Sequence, residues 1–192
     1  MMTRSAILPA GHRSRGFTII ELIMVVTIML ILIAVSLPVA DTAMASMRIA
    51  GDARSLATQL QLAKLEAANQ FTHVRLQINC NGSTTYCLQV LNGTNWVTDP
   101  GTQYLSAGVS FGTGNAAAPA GTQTTLAQTS IVEFNSRGIP ITSSGCTEPC
   151  GTPTSQDTVY LTHQNGAVYA VSVSAAGQIK TWQYINSGWS AL

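Results

Sequence analysis

An apolar run from Leu22 to Ala40, starting directly after a lone carboxylate at Glu21, constrains this chain more than any other feature. About 20 apolar residues suffice to cross a bilayer as a helix. The run therefore predicts a membrane-spanning helix. A charge in hydrocarbon costs roughly 2.5–3.5 kcal/mol on insertion scales, so a carboxylate kept there points to a function. Ahead of the run stand Arg4, His12, Arg13 and Arg15, with no acidic residue. Three readings fit a basic start followed by an apolar run. A secretory signal peptide would be cut at small residues such as Ala43-Met44-Ala45, but the apolar core of such a signal is ~7–15 residues, shorter than this one. A plain membrane anchor accounts for the length and not for Glu21. In the third reading a leader is removed ahead of the run, after Gly16, and the apolar helix stays on the mature chain.

The residues Arg15-Gly16-Phe17-Thr18-Ile19-Ile20-Glu21-Leu22 resemble the prepilin-peptidase site of type IV pilins and pseudopilins. That resemblance selects the third reading. It implies cleavage between Gly16 and Phe17, N-methylation of Phe17, and an assembly role for Glu21 as the fifth mature residue. Pro38 falls where such proteins commonly carry a helix-kinking proline. The resulting division is a leader over 1–16, a transmembrane helix half over 17–40, an amphipathic helix half over 41–70 and a β-rich globular domain over 71–192. The expected location is the bacterial inner membrane, crossed once, with the globular domain in the periplasm.

Composition supports an exported chain. Only 9% of the 192 residues are charged. Small polar residues abound, as suits a β-rich exported domain better than a cytosolic enzyme. Three of the nine basic residues (Arg4, Arg13, Arg15) lie in the leader, so the mature chain keeps six basic against eight acidic residues, a formal −2. That balance is no electrostatic footprint for nucleic acid.

After Asp41 the pattern becomes amphipathic. Ile49, Ala53, Leu56, Leu60, Ala63 and Ala67 recur at alternating steps of four and three, which places them on one helical face. Asp52, Arg54, Gln61 and Glu66 fall off that stripe. A second apolar set, Met44, Met47, Leu62 and Leu65, lies roughly opposite. One stripe is enough to cover a sheet. The second set either meets neighbouring subunits or, at Leu62 and Leu65, lies beneath a loop. If helical throughout, residues 17–69 extend about 80 Å at ~1.5 Å per residue. Pro38 predicts a kink, and Gly51 a softer point.

From Phe71 the period becomes two. The stretches 73–78 and 86–91, separated by Asn81-Gly82, predict a hairpin. A short strand is expected at Trp96-Val97 and another over 104–111, with a long surface loop over 112–123. Further strands are expected over 130–134 and 139–141. Residues 158–162 and 167–174 about Asn165-Gly166 predict a second hairpin. A last strand over 178–185 precedes the tail Asn186–Leu192.

The segment Glu133-Phe134-Asn135-Ser136-Arg137-Gly138-Ile139-Pro140 is similar to the Phe-x-x-x-Gly turn of GspH/FimT minor pseudopilins. The helix stretch 56–67 running into Val74–Ile78, and the late Gly177-Gln178-Ile179-Lys180, resemble that family too. The resemblance implies an α+β, type IV pilin-like fold, a long N-terminal helix packed on antiparallel β-sheets. It also implies a structural role in a type II secretion pseudopilus or in type IV pilus assembly. The partners implied are other pilins or pseudopilins, prepilin peptidase and inner-membrane lipid. No cofactor is expected.

Few residues carry chemistry. The cysteines form two close pairs, Cys80 with Cys87 and Cys146 with Cys150. In an exported domain disulfides are the natural reading. Four cysteines allow three pairings, of which the local one is preferred because each pair closes a short loop. A zinc site is the rival, though six and three intervening residues match zinc-ligand spacing poorly. His73 and His163 sit in or beside predicted strands. Asp157 near His163, with serines plentiful, makes a triad-like coincidence cheap. No nucleophile elbow or phosphate loop is present. Trp96, Trp182 and Trp189 read as core or rim packing before a sugar platform. The function classes left are a structural pilus subunit and a DNA-binding minor pilin. The second draws on Lys180, but Gln178 and an uncharged tail argue against it, so nucleic acid is an unexpected partner.

Overall fold

The structure, a computed structural model, describes residues 16–143 and 151–192; the side chains of residues 36–40 and of Pro100 lie outside the described set. Among the described residues it contains one helix followed by ten strands in two antiparallel sheets. The chain divides into two compact units with the boundary between Asp41 and Thr42.

Helix α1 runs Ile19–Gln70. Thr18 caps it: its hydroxyl accepts from the Glu21 N–H at 3.3 Å and its carbonyl from the Leu22 N–H at 3.2 Å. Such a cap satisfies donors that the first helical turn cannot pair internally. The helical bounds include Gly51 and Pro38. The side-chain basis of the kink expected at Pro38 lies outside the described residues. At the far end Phe71 adopts a left-handed φ of 51°, and the Thr72 N–H reaches back to the Ala67 carbonyl at 3.3 Å. That closure is the Schellman arrangement, in which glycine is the usual left-handed residue.

All six members of the predicted stripe, from Ile49 to Ala67, are fully buried. Met44, Met47, Leu62 and Leu65 are exposed, which removes the reading in which a loop covers Leu62 and Leu65. The stripe packs on both sheets. One sheet is ordered β3-β2-β1-β5-β6, with β1 Val74–Ile78, β2 Thr85–Asn92, β3 Asn95–Tyr104, β5 Ile131–Phe134 and β6 Pro140–Ile141. The other is ordered β10-β9-β8-β7-β4, with β4 Val109–Phe111, β7 Asp157–His163, β8 Val168–Val173, β9 Ile179–Ile185 and β10 Gly188–Ala191. Alternation decides what each strand turns to the helix. Val74, Leu76 and Ile78 of β1 join Leu88, Val90, Val132 and Phe134 in the core, as do Val159, Leu161, Val171 and Val173 of the second sheet.

Three expectations are corrected. The strand expected over 104–111 does not form. Instead β3 continues from Trp96 to Tyr104, and only Val109–Phe111 pairs again, with β7. The β2–β3 register shifts between Cys87 and Gln89, which pair with Thr102 and Thr98. Asp99, Pro100 and Gly101 stand opposite the single Leu88, two residues more than the ladder needs, and form an irregularity that takes in Pro100, where no ladder donor is needed. Second, residues 112–123 are no bare surface loop. The loop folds over the far face of the second sheet, burying Ala120 with Tyr160 and Ala170 beside Leu126, Trp182 and Trp189. Polar groups just beyond it stand in for a neighbouring strand: Gln128 Oε1 accepts the Tyr160 N–H at 3.0 Å, and Thr129 Oγ1 accepts that of Thr158 at 3.0 Å. Third, the tail is a strand. Asn186 and Ser187, both at positive φ, form a two-residue turn that folds Gly188–Ala191 onto β9. Two central residues at positive φ are the mark of a type I′ hairpin turn.

Candidate assembly site

The N-terminal end of α1 gathers the residues of the predicted processing and assembly site. Gly16, Phe17 and Glu21 are all exposed there. Thr18-Ile19-Ile20-Glu21 also has the capping-box spacing, a threonine followed three residues later by a glutamate. The threonine half is formed through the Glu21 N–H. Glu21 is thus doubly placed: an acid in the first turn complements the helix dipole, and its carboxylate stands on an exposed surface. The capping spacing was readable in the sequence and adds a local reason for a glutamate at that position.

Every described large apolar side chain from Phe17 to Val35 is exposed, on all sides of the helix. A helix apolar all round is one that other apolar matter must surround. Thr27, the polar exception, turns its hydroxyl onto the Ile23 carbonyl at 2.7 Å and so needs no water. Among the described residues no helix is long and apolar enough to cross a membrane. The predicted span includes 36–40, whose side chains lie outside the described residues.

Downstream, the three segments that resemble the pseudopilin family meet at Lys64. Its Nζ donates to the Gly177 carbonyl at 3.0 Å. A Cβ on Gly138 (φ 70°) would stand 3.0 Å from Lys64 Cγ, and one on Gly177 (φ 70°) only 2.8 Å from the Gly138 carbonyl oxygen. Both turns therefore require glycine, for conformation and for space. The Asn135 side chain shapes the first turn by accepting the N–H groups of Arg137 at 2.9 Å and Ile139 at 3.1 Å. One turn belongs to each sheet, so Lys64 ties both sheets to the helix. Two further ties fix the helix: Asp52 accepts the Ser106 N–H and hydroxyl, each at 2.9 Å, and Ser55 bonds the Tyr86 hydroxyl at 3.1 Å.

Cys80 and Cys87 are joined by a disulfide across the β1–β2 turn. Cys146 and Cys150 lie outside the described residues. Asp157 and His163 occupy opposite ends of β7; at ~3.3 Å per residue they stand about 20 Å apart, too far to share a proton. His73, just ahead of β1, is buried with its Nδ1 2.9 Å from Glu133 of β5, a pair that sequence reasoning missed because the partners lie 60 residues apart. The tryptophans pack: Trp96 lies beneath the Arg75 guanidinium at 4.1 Å, Trp182 donates to Ser172, and Trp189 donates to the Ala118 carbonyl.

Comparison with known proteins gives the family. Residues 11–37 match the prokaryotic N-terminal methylation motif, and residues 52–177 match the Type II transport protein GspH family. The chain belongs to the GspH family of pilin-like structural subunits. It is 38% identical over 103 residues to the pilin-like protein PilA1 of Thermus thermophilus, over 53% of this chain. The match spans 62% of that relative's length. Among solved structures it is similar to the minor pseudopilin EpsH from the type 2 secretion system of Vibrio cholerae, with a TM-score of 0.46 and 15% identity, covering 70% of this chain and 95% of that one.

Proposed function

We propose that this chain is a minor subunit of a type II secretion pseudopilus or of a type IV pilus assembly, anchored once in the inner membrane with residues 71–192 in the periplasm. Prepilin peptidase cuts after Gly16, and Phe17 becomes the methylated N-terminus. The observation that carries this reading is Glu21, exposed in the first turn of a capped helix that is apolar all round beyond it.

After cleavage the new amine stands four residues before Glu21, where water is scarce. Methylation leaves the amine charged, and helix geometry points it away along the axis. A neighbouring subunit displaced along a filament offers the better partner. Opposite charges at ~4 Å attract by about 4 kcal/mol at an effective dielectric of 20, enough to offset much of the burial cost. Glu21 pairs with Phe17 of an adjacent subunit and sets axial register. Glu21→Ala is expected to leave Gly16 processing and membrane insertion intact and to remove the protein from filaments, read by immunoblot of sheared fibres beside membrane fractions. Normal co-assembly of the variant would reduce Glu21 to peptidase recognition and helix capping.

Two basic residues of the second unit are already engaged within the fold. Lys64 is engaged at Gly177, and Arg75 is held by Gln89 at 2.7 Å and by Trp96. Clustered free cations are what phosphate binding draws on, so a filament subunit remains the reading.

A further inference from the structure

The loop ahead of β5 stands against the first half of β7 in place of a strand. Register pairing with β4 covers only Leu161, Thr162 and His163, so the residues before them have no strand on that side. The loop fills the gap. Gln128 and Thr129 take the Tyr160 and Thr158 N–H groups, and the Thr129 N–H donates to the Thr158 carbonyl at 3.0 Å. One residue ahead of Asp157, the Gln156 carbonyl accepts Gln123 Nε2 at 3.1 Å, and Gln156 Oε1 accepts the Thr124 N–H at 2.8 Å. Asp157 lies between these two sets of bonds. Alternation turns it to the same side as Val159 and Leu161, which are in the core. Its Oδ2 is buried there with no hydrogen-bond partner among the described residues. A carboxylate so placed forfeits hydration and gains nothing in return. Around it, β8 offers Val173, its register partner. The loop 123–131, Thr142-Ser143 after β6 and the approach from Thr154 to Gln156 offer amides, hydroxyls, Ala127 and Ile131. Among these described residues none is charged or titratable, so the charge meets no counter-ion.

We propose that Asp157 is a pH-responsive latch: ionised, it favours lifting of the loop 123–131 from β7, and protonated it lets the loop close. Closed, the loop keeps water from Oδ2, at a cost that falls on the ionised form. Opened, it returns water to the carboxylate and bares the edge of β7 at Thr158 and Tyr160. Burial accordingly pushes the carboxyl from 3.8 up to about 6. A carboxyl raised in the closed form favours closure most at acid pH. Closure weakens as pH rises from 3.8 to about 6 and changes little once both forms are charged. None of these residues belongs to α1, so the latch stands or falls apart from the Glu21 pairing.

The test is amide hydrogen exchange of the full chain in detergent micelles, read by NMR as protection relative to the free-peptide rate at each pH. Opening at Thr158 and Tyr160 is expected to grow about tenfold or more between roughly pH 4.5 and 6.5 and to level off above that. Leu76, central in the first sheet, is the control and is expected to keep its protection over the same range. In Asp157→Asn the rise is expected to vanish. A flat profile at Thr158 and Tyr160, an equal rise at Leu76, or the same rise in Asp157→Asn would overturn the proposal. Should Asp157→Asn fail to fold, the carboxyl carbon shift of Asp157 in the native chain decides it. That shift is expected to titrate where the exchange profile levels off, at about 6, and titration at the ordinary 3.8 would sink the latch.

Discussion

The two halves of α1 share one backbone and face different surroundings. From Phe17 to Val35 every described side chain is exposed, and the apolar ones point in all directions. From Ile49 to Ala67 a single stripe is fully buried while Met47 and Leu65 on another face stay exposed. In the first half apolarity has no direction, so a surrounding apolar medium has to supply the burial. In the second half direction is everything, because two sheets of the same chain supply it. Polar ties at Asp52, Ser55 and Lys64 then fix the helix where packing alone would let it slide. The second half, rich in Ala, Leu and Gln, has the higher helix propensity, yet what separates the halves is what surrounds them.

The largest effect that tests this contrast is a cavity in the stripe. Leu60→Ala is expected to lower unfolding free energy by ~2–5 kcal/mol, as deletions at fully buried leucines do. Leu65→Ala, one turn away and exposed, is expected to stay within about 0.5 kcal/mol. Urea unfolding of the full chain in detergent, followed by tryptophan fluorescence, gives both values. Similar losses at the two positions would mean that the downstream half has no buried face of its own, and the contrast would collapse.

That stripe was legible in the sequence because helical burial repeats every three or four residues, and all six assigned positions are buried. The Phe134–Gly138 turn and the late Gly177 were legible as motifs, but not their meeting at Lys64. A contact between residues 113 apart in sequence leaves no periodicity. The burial of the loop over 112–123 was hidden for a related reason. Its Gly, Ala and Thr content signals solvent, yet the alanines are what allow close approach to Tyr160 and Trp189. The β10 turn carried a readable signal, an asparagine at a left-handed position, hidden because the tail beyond it is short. The residues of the candidate assembly site at the N-terminus were named from their motif, whereas the buried His73–Glu133 pair depends wholly on tertiary packing.

A smaller effect probes the polar ties of the downstream half. Gly138→Ala forces a side chain into left-handed backbone and against Lys64, and is expected to cost about 1–2 kcal/mol. Part of that cost belongs to the backbone and part to the contact, and a double-mutant cycle separates them. Gly138→Ala in a Lys64→Ala background is expected to cost less than in the native chain. Strict additivity would show that Lys64 yields freely and that the junction is held by turn conformation alone.

The smallest effect lies where the downstream half stops. Phe71 takes the left-handed position after the last turn of α1 and projects its ring into solvent. A non-glycine residue there costs about 1–2 kcal/mol, and an exposed ring recovers little of it by packing. Glycine relieves the strain but adds freedom to the unfolded chain, which takes back about 0.4–1 kcal/mol. Phe71→Gly is therefore expected to stabilise the chain by roughly 0.5–1 kcal/mol, the balance of those two quantities. Membrane insertion should not change, since the substitution lies far along the sequence from residues 17–40. The same urea series in detergent reads the stability, and membrane fractionation reads the insertion. A loss of stability would show that the ring packs in the folded chain more than its exposure implies. Helix termination would then depend on that contact, and the end of α1 would join the stripe as a packed seam.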